Sequence, residues 1–139
     1  MSPIYKLYEK RLLRQVRKGP VPNHLAVIMD GNRRYAESLG LHPNEGHVIG
    51  KGTLENLSDW CQNLNIHYLT VYAFSLENFG RKDEELEVLM DLFEESFRSA
   101  GDDPRVHKYK VRVRAIGHRE LLPDRVVKAI EYAESRTKD

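Results

Sequence analysis

The sequence predicts an α/β fold, a parallel β-sheet of about three strands flanked by helices. Three observations predict it. Residues 24–29 and 68–74 are short, almost wholly apolar runs, of the kind that makes a strand buried on both faces of a parallel sheet. Between and after them lie segments with apolar residues on one side only, at helical spacing. The two kinds of segment alternate along the chain, which is the pattern of strand–helix–strand units.

Taken in order, residues 4–18 read as a basic helix in which Tyr5, Tyr8, Leu12 and Val16 recur at helical spacing. Gly19, Pro20 and Pro22 stop it, so a boundary is expected after residue 22. The expected arrangement is a helix docked by its apolar stripe; a membrane-surface or substrate-delivery helix is the alternative. The first strand, 24–29, runs into Asp30-Gly31-Asn32. A helix over 33–39 follows, closed by Gly40 and broken again at Pro43. The next helix, 45–64, should bury Leu54, Leu57, Cys61 and Leu64. After the second strand, 75–82 is a loop. Residues 83–99 form a strongly acidic helix with Leu86, Leu89, Met90, Phe93 and Phe97 on one side. Residues 101–104 are a break, 110–116 a third strand, and 123–136 a last helix with Val126, Val127, Ile130 and Ala133 inward. No internal repeat or low-complexity segment interrupts this order.

A length of 139 residues suits one compact domain, and 40% hydrophobic with 31% charged residues places the chain among soluble globular proteins. The formal net charge of +1 creates no field that would favour nucleic acid. The charge is unevenly spread. Lys6, Lys10, Arg11, Arg14, Arg17 and Lys18 stand against Glu9, a net +5 over residues 1–18. The single cysteine, Cys61, excludes an internal disulfide and fits a reducing compartment, and its place in an apolar stripe reads as a buried thiol. No run approaches a membrane span and no signal-peptide core is visible. The expected location is the cytoplasm, with at most a peripheral membrane contact.

In a parallel sheet, ligands bind outside the carboxyl ends of the strands. Asp30 and Ser75 each follow such an end, so the two polar loops should face one crevice. An Asp there can hold Mg²⁺, a hard cation that often shares its oxygen ligands with a diphosphate. Gly31 removes a side chain where backbone must approach phosphate, and the following helix start favours an anion. Arg34 can add a bidentate guanidinium. An ordinary Asp-Gly turn into a helix would look the same. The second loop holds Phe74, Ser75, Glu77, Asn78, Phe79 and Arg81, polar groups beside aromatics that suit a ligand with a charged head and an apolar tail. A polar loop with capping Ser and Asn is the plainer alternative. His47 could donate to a phosphate or pack at a helix start. His24, His42, His67, His107 and His118 lack metal-ligand spacing and read as structural or exposed.

The run from His24 through Asp30-Gly31-Asn32-Arg33-Arg34 to Tyr35 resembles the first signature of the cis-prenyltransferases, the family of undecaprenyl and dehydrodolichyl diphosphate synthases. Gly46-His47 resembles its second, and the stretch from Leu69 to Arg81, with Glu85 and Leu89-Met90-Asp91-Leu92, its third. Val111 to Gly117, followed by Leu121-Leu122-Pro123, resembles the strand and turn beyond. The likeness runs over 24–138. It implies condensation of isopentenyl diphosphate with an allylic diphosphate of farnesyl or geranylgeranyl type, giving a long-chain polyprenyl diphosphate. By position it implies Asp30 as the Mg²⁺ ligand that helps the allylic diphosphate leave. Gly31, Asn32, Arg33 and Arg34 would grip that diphosphate with His47 nearby, and Ser75 and Asn78 would act in the condensation. Arg81 would bind diphosphate, Tyr35 and Phe74 would flank the head of the tail, and Glu77 and Phe79 belong to the same substrate loop. Leu86, Leu89, Met90 and Phe93 would line a tunnel for the growing chain, a role compatible with plain core packing.

Three departures from the family pattern stand out. Arg33-Arg34-Tyr35 replaces the Gly-Arg-Trp common in bacterial members, which resembles archaeal and eukaryotic ones. Pro43 takes the place of an arginine four residues before His47, so one phosphate contact is missing or comes from elsewhere. The family also continues for roughly another hundred residues, carrying the isopentenyl diphosphate motif, a second acidic metal ligand and most of the dimer interface. Residues 23–139 therefore resemble the N-terminal part of the catalytic domain, and the 139-residue chain alone is expected to be inactive. A homodimer or hetero-oligomer is expected of a full-length member. A non-catalytic subunit of a hetero-oligomer is the alternative, which intact Asp30 and Asn78 disfavour. An unrelated phosphohydrolase would want a second Asp two residues after Asp30, where Asn32 stands.

Overall fold

A computed structural model describes residues 3–138. They fall into two compact units, Met1–Ser75 and Leu76–Asp139. The first holds α1 (Pro3–Val16), β1 (His24–Ile28), α2 (Asn32–Ser38), α3 (Pro43–Asn63) and β2 (Tyr68–Tyr72). The second opens with a 3-10 turn, Leu76–Gly80, and continues through α4 (Asp83–Asp102), α5 (Pro104–Lys108), a 3-10 turn at Arg119–Leu121 and α6 (Asp124–Arg136).

β1 and β2 pair in parallel, His24 opposite Tyr68 through Ile28 opposite Tyr72. The α/β reading with a parallel sheet is thus borne out, and the two helices α2 and α3 lie between the strands in the chain. The strands are not buried on both faces, as their composition implied. Their exposure alternates, with Leu25, Val27, Leu69 and Val71 half-buried and Ile28, Tyr68 and Tyr72 exposed.

The third strand does not form among the described residues: residues 111–116 carry no regular secondary structure and pair with no strand. Their amides bond to side chains of α6 instead. The Val113 N–H donates to Thr137 Oγ1 at 3.0 Å and the Ala115 N–H to Glu134 Oε1 at 2.9 Å. Glu134 also accepts from both terminal nitrogens of Arg119, at 2.7 and 2.9 Å. Buried backbone donors need partners, and here the helix supplies them every second residue.

The break expected at Pro43 is instead the start of α3. Proline lacks the N–H that a first helical turn cannot use, so it is well placed there. The N-cap is His42, whose Nδ1 accepts from the Asn44 N–H, while Glu45 reaches back to the His42 N–H at 2.8 Å, a capping box. The break expected over 101–104 falls at Asp103, between α4 and α5. Gly101 is buried inside α4, where an added Cβ would stand 2.9 Å from the Tyr132 ring, so its role is close approach of α6. Asp83, Glu84 and Glu85 favour the start of α4 by complementing its dipole. Leu89 and Met90 of α4 and Val126, Ala129, Ile130 and Ala133 of α6 form the buried core of this unit.

α1 is a helix as expected, but its apolar stripe does not dock it. Tyr5, Tyr8, Leu12 and Val16 are all exposed. Contact with α3 runs along a neighbouring edge, where the Trp60 indole donates to Glu9 at 3.0 Å and Arg17 donates to the Asn63 carbonyl at 2.6 Å. Leu13, on the same edge, is half-buried. Polar groups near the end of α3 capture that edge. The row at positions 9, 13 and 17 is one helical spacing, as the stripe is. Cys61 is buried, as its stripe implied, and burial raises its thiol above the usual pKa.

Candidate active site

The carboxyl ends of β1 and β2 lie side by side. The ladder closes at Ile28 opposite Tyr72, and one further bond, from the Met29 N–H to the Tyr72 carbonyl at 3.2 Å, holds the chains together past it. Asp30 and Ser75 follow these ends on the same edge of the sheet.

At Asp30 the chain must turn sharply into α2. Gly31 makes the turn with φ 86° and ψ −2°, a left-handed conformation that costs a side-chain-bearing residue about 1–2 kcal/mol. Its N–H donates to Asp30 Oδ1 at 2.6 Å, and the Tyr35 N–H returns to the Gly31 carbonyl at 2.9 Å. Arg34, one helical turn on, places Nη2 at 3.6 Å from Asp30 Oδ2. Both side chains are about four-fifths exposed, so the pair is an open, solvated one that a ligand can enter. Arg33 and Tyr35 are exposed on the same short helix.

α2 is fixed in place by α3. A Cβ on Gly46 would lie 2.1 Å from the Asn32 carbonyl oxygen and 3.2 Å from Ala36 Cβ, and one on Gly50 would meet the Asn32 side-chain amide at 2.8 Å. Asn32 thus rests on the turn of α3 that carries His47, which is buried. These two glycines escaped the sequence reading as site-forming residues. Their spacing of four on one helix, opposite a loop that must be held, was the available signal. The Asn32 amide lies against Gly50.

Asp30, Gly31, Asn32, Arg33, Arg34, Tyr35, His47, Phe74 and Ser75 belong to the first unit; Phe74 and Ser75 are half-buried. Glu77, Asn78, Phe79, Arg81 and the tunnel candidates belong to the second. Glu77, Asn78 and Phe79 lie in the 3-10 turn, and the Arg81 N–H donates to the Asn78 carbonyl at 3.1 Å. The Arg81 guanidinium bonds Glu85 one turn along α4. A groove of about 330 Å³ is lined by Phe79, Leu86, Glu87, Met90, Leu121, Leu122 and Pro123. Leu89 and Phe93 do not line it. The Leu121–Pro123 wall was visible in the sequence only as a motif without a role.

No three His, Cys, Asp or Glu side chains cluster as a metal cage among the described residues. A single exposed carboxylate at a strand end fits only an ion that completes its shell with water and substrate oxygens, which is the habit of Mg²⁺.

The sequence profile of the undecaprenyl diphosphate synthase family matches residues 28–139. This chain belongs to that family. The matched residues include the Asp30 loop, the α2–α3 contact and the groove. The chain is 51% identical to the tritrans,polycis-undecaprenyl-diphosphate synthase (geranylgeranyl-diphosphate specific) of Thermococcus kodakarensis, over 99% of this chain and 52% of that protein. It is 49% identical to the protein of the same name from Methanopyrus kandleri, over 100% of this chain and 51% of that one. The crystal structure of lavandulyl diphosphate synthase from Lavandula x intermedia in complex with dimethylallyl diphosphate superposes with a TM-score of 0.77 at 36% identity. That match covers 84% of this chain and 50% of the other. The chain spans about half the length of the relatives it matches. As a member of the undecaprenyl diphosphate synthase family it shares their parallel α/β architecture.

Proposed function

We propose that this chain carries the allylic-diphosphate site of a cis-prenyl chain-elongating enzyme, which condenses isopentenyl diphosphate with a farnesyl- or geranylgeranyl-type diphosphate. The observation that carries the reading is the Gly31 turn. It sets the Asp30 carboxylate and the Arg34 guanidinium 3.6 Å apart at the carboxyl edge of the sheet, both open to a ligand. An anionic diphosphate entering there gains the Arg34 fork. It also takes over a cation that Asp30 now only partly occupies.

In this reading Arg33 and Arg34 bind the allylic diphosphate, Asp30 orients its reacting end, and His47 holds the base of the site. Ser75 and Asn78 serve the condensation and Arg81 binds diphosphate; Tyr35 and Phe74 flank the head of the tail, and Glu77 and Phe79 contribute from the Arg81 loop. Mg²⁺ at Asp30 would supply charge stabilisation for the departing diphosphate. Leu86 and Met90 take the apolar tail along the groove, with Leu89 and Phe93 supporting α4 behind them. The active assembly is a homodimer or hetero-oligomer. The reading is supported by the family membership, by relatives named as polyprenyl diphosphate synthases, and by the composition of the loop.

Isothermal titration of the 139-residue chain with geranylgeranyl diphosphate tests it. Binding that inorganic diphosphate displaces and that Arg34→Ala weakens is the expected result. No binding, or binding indifferent to Arg34→Ala, would overturn the reading.

A further inference from the structure

The groove of the second unit has a single charged lining residue, Glu87, which stands beside Leu86 and one turn before Met90 on α4. Its carboxylate is held by Arg125 of α6, whose Nη2 donates to Glu87 Oε2 at 2.7 Å. Nη1 of the same guanidinium donates to Asp91 Oδ1 at 2.6 Å and to Glu94 Oε2 at 3.1 Å. Arg125 itself does not line the groove. Three carboxylates of α4 thus converge on one cation outside the lining.

Neither side of this contact is explained by its own helix. Arg125 lies in the first turn of α6, where the helix dipole disfavours a cation. Residues 87, 91 and 94 are neighbours along α4, and their like charges repel. The far wall of the groove is tied to the same turn of α6. The Pro123 carbonyl accepts from the Val126 N–H at 2.9 Å and the Val127 N–H at 3.1 Å. Arg125 therefore springs from beside one wall and reaches the other.

We propose that Arg125 is a positioning residue that holds the Glu87 carboxylate out of the groove, so that the groove presents an apolar lining to a hydrocarbon chain. This deepens the tail-site reading given above and rests on it. The aliphatic stem of Glu87 serves as wall while its charge points to Arg125. No other cation pairs with Glu87 among the described residues. Glu87 is 69% exposed, so the pair adds little to stability; what it decides is where the charge sits. Without Arg125 the side chain is repelled by Asp91 and samples its other rotamers. One that enters the groove brings water or an unpaired charge against the chain.

Equilibrium dialysis of the 139-residue chain against farnesol, an apolar chain without a diphosphate, tests the proposal. The wild type should bind it. Arg125→Ala should bind at least about tenfold more weakly, the effect of an uncompensated charge beside an apolar ligand. Glu87→Leu should bind at least as tightly as wild type, and adding it to Arg125→Ala should restore binding. That rescue separates positioning from plain helix docking, because the double variant still lacks every bond from Arg125 to α4. Circular dichroism checks the fold of each variant; if Arg125→Ala does not fold, Glu87→Leu alone decides. Unchanged binding by Arg125→Ala, a double variant that stays weak, or weaker binding by Glu87→Leu would overturn the proposal and leave the groove as a tail site. A wild type that takes up no farnesol would overturn both.

Discussion

A Cβ at Gly46 would stand 2.1 Å from the carbonyl oxygen of Asn32. α3 and α2 therefore meet backbone to backbone, two residues from Asp30. Replacing Gly46 by Ala should cost about 1–3 kcal/mol, the usual cost of overpacking, because the obstructing atoms are backbone and cannot rotate aside. Gly50→Ala should cost far less. It meets only the Asn32 amide, which can turn, and alanine recovers about 1 kcal/mol of helix propensity. Urea melts of both variants check the ranking; equal stability would mean that the α2–α3 spacing is looser than it stands.

Asp30→Ala should lower turnover by at least about a hundredfold in the assembled enzyme while leaving allylic substrate affinity little changed. On the proposed reading the arginines would hold the ground-state diphosphate, whereas the carboxylate would act on charge that develops as the bond breaks. Steady-state kinetics beside equilibrium binding separate the two. Full activity of the variant in excess EDTA would refute the metal role.

Acid should loosen the second unit through Glu134. Burial opposes its ionisation, but the Arg119 guanidinium and the Ala115 N–H outweigh burial and hold its carboxyl below the ordinary glutamate value. The unfolded glutamate titrates near its usual value of about 4.3, so the contribution is fully present above that pH. It is lost as pH falls through the lower folded value. Glu134→Gln should cost about 1–2 kcal/mol at neutral pH, towards the low end for charge-assisted bonds because the pair is partly exposed. The same variant should flatten the acid limb of a stability–pH curve, which denaturant melts at several pH values would show.

Amide exchange should alternate along residues 112–115. Val113 and Ala115 donate to Thr137 and Glu134, whereas Arg112 and Arg114 have no such bond among the described residues. Slow exchange at 113 and 115 and fast exchange at 112 and 114 is the expected pattern. Uniform rates would count against the α6 clamp.

The elements that were legible in the sequence are those whose signal is local. The apolar runs of β1 and β2, Cys61 of the α3 stripe and the inward row of α6 stand where periodicity put them, while Leu54, Leu57 and Leu64 are only half-buried. Position relative to strand ends placed Asp30 and Ser75 on one edge. What failed depended on partners. Residues 110–116 have strand composition, but a strand exists only by pairing, and here Glu134 and Thr137 took the donors. Pro43 carries breaker chemistry, and only its neighbours decide whether it ends a helix or begins one. For α1 the stripe was visible, but an indole and a carbonyl on α3 chose the adjacent row.

The capping box of α3 has a consequence for the order in which the first unit assembles. His42 to Glu45 specify the start of a 21-residue helix within four consecutive positions, so its nucleus closes no long loop. α2 has seven residues and no side-chain cap, and lasts only against Gly46 and Gly50. α3 should therefore form before α2, with high φ-values at its start and low ones at Ala36. The Asp30 loop, strung between β1 and α2, is then completed last, and unfolding begins there.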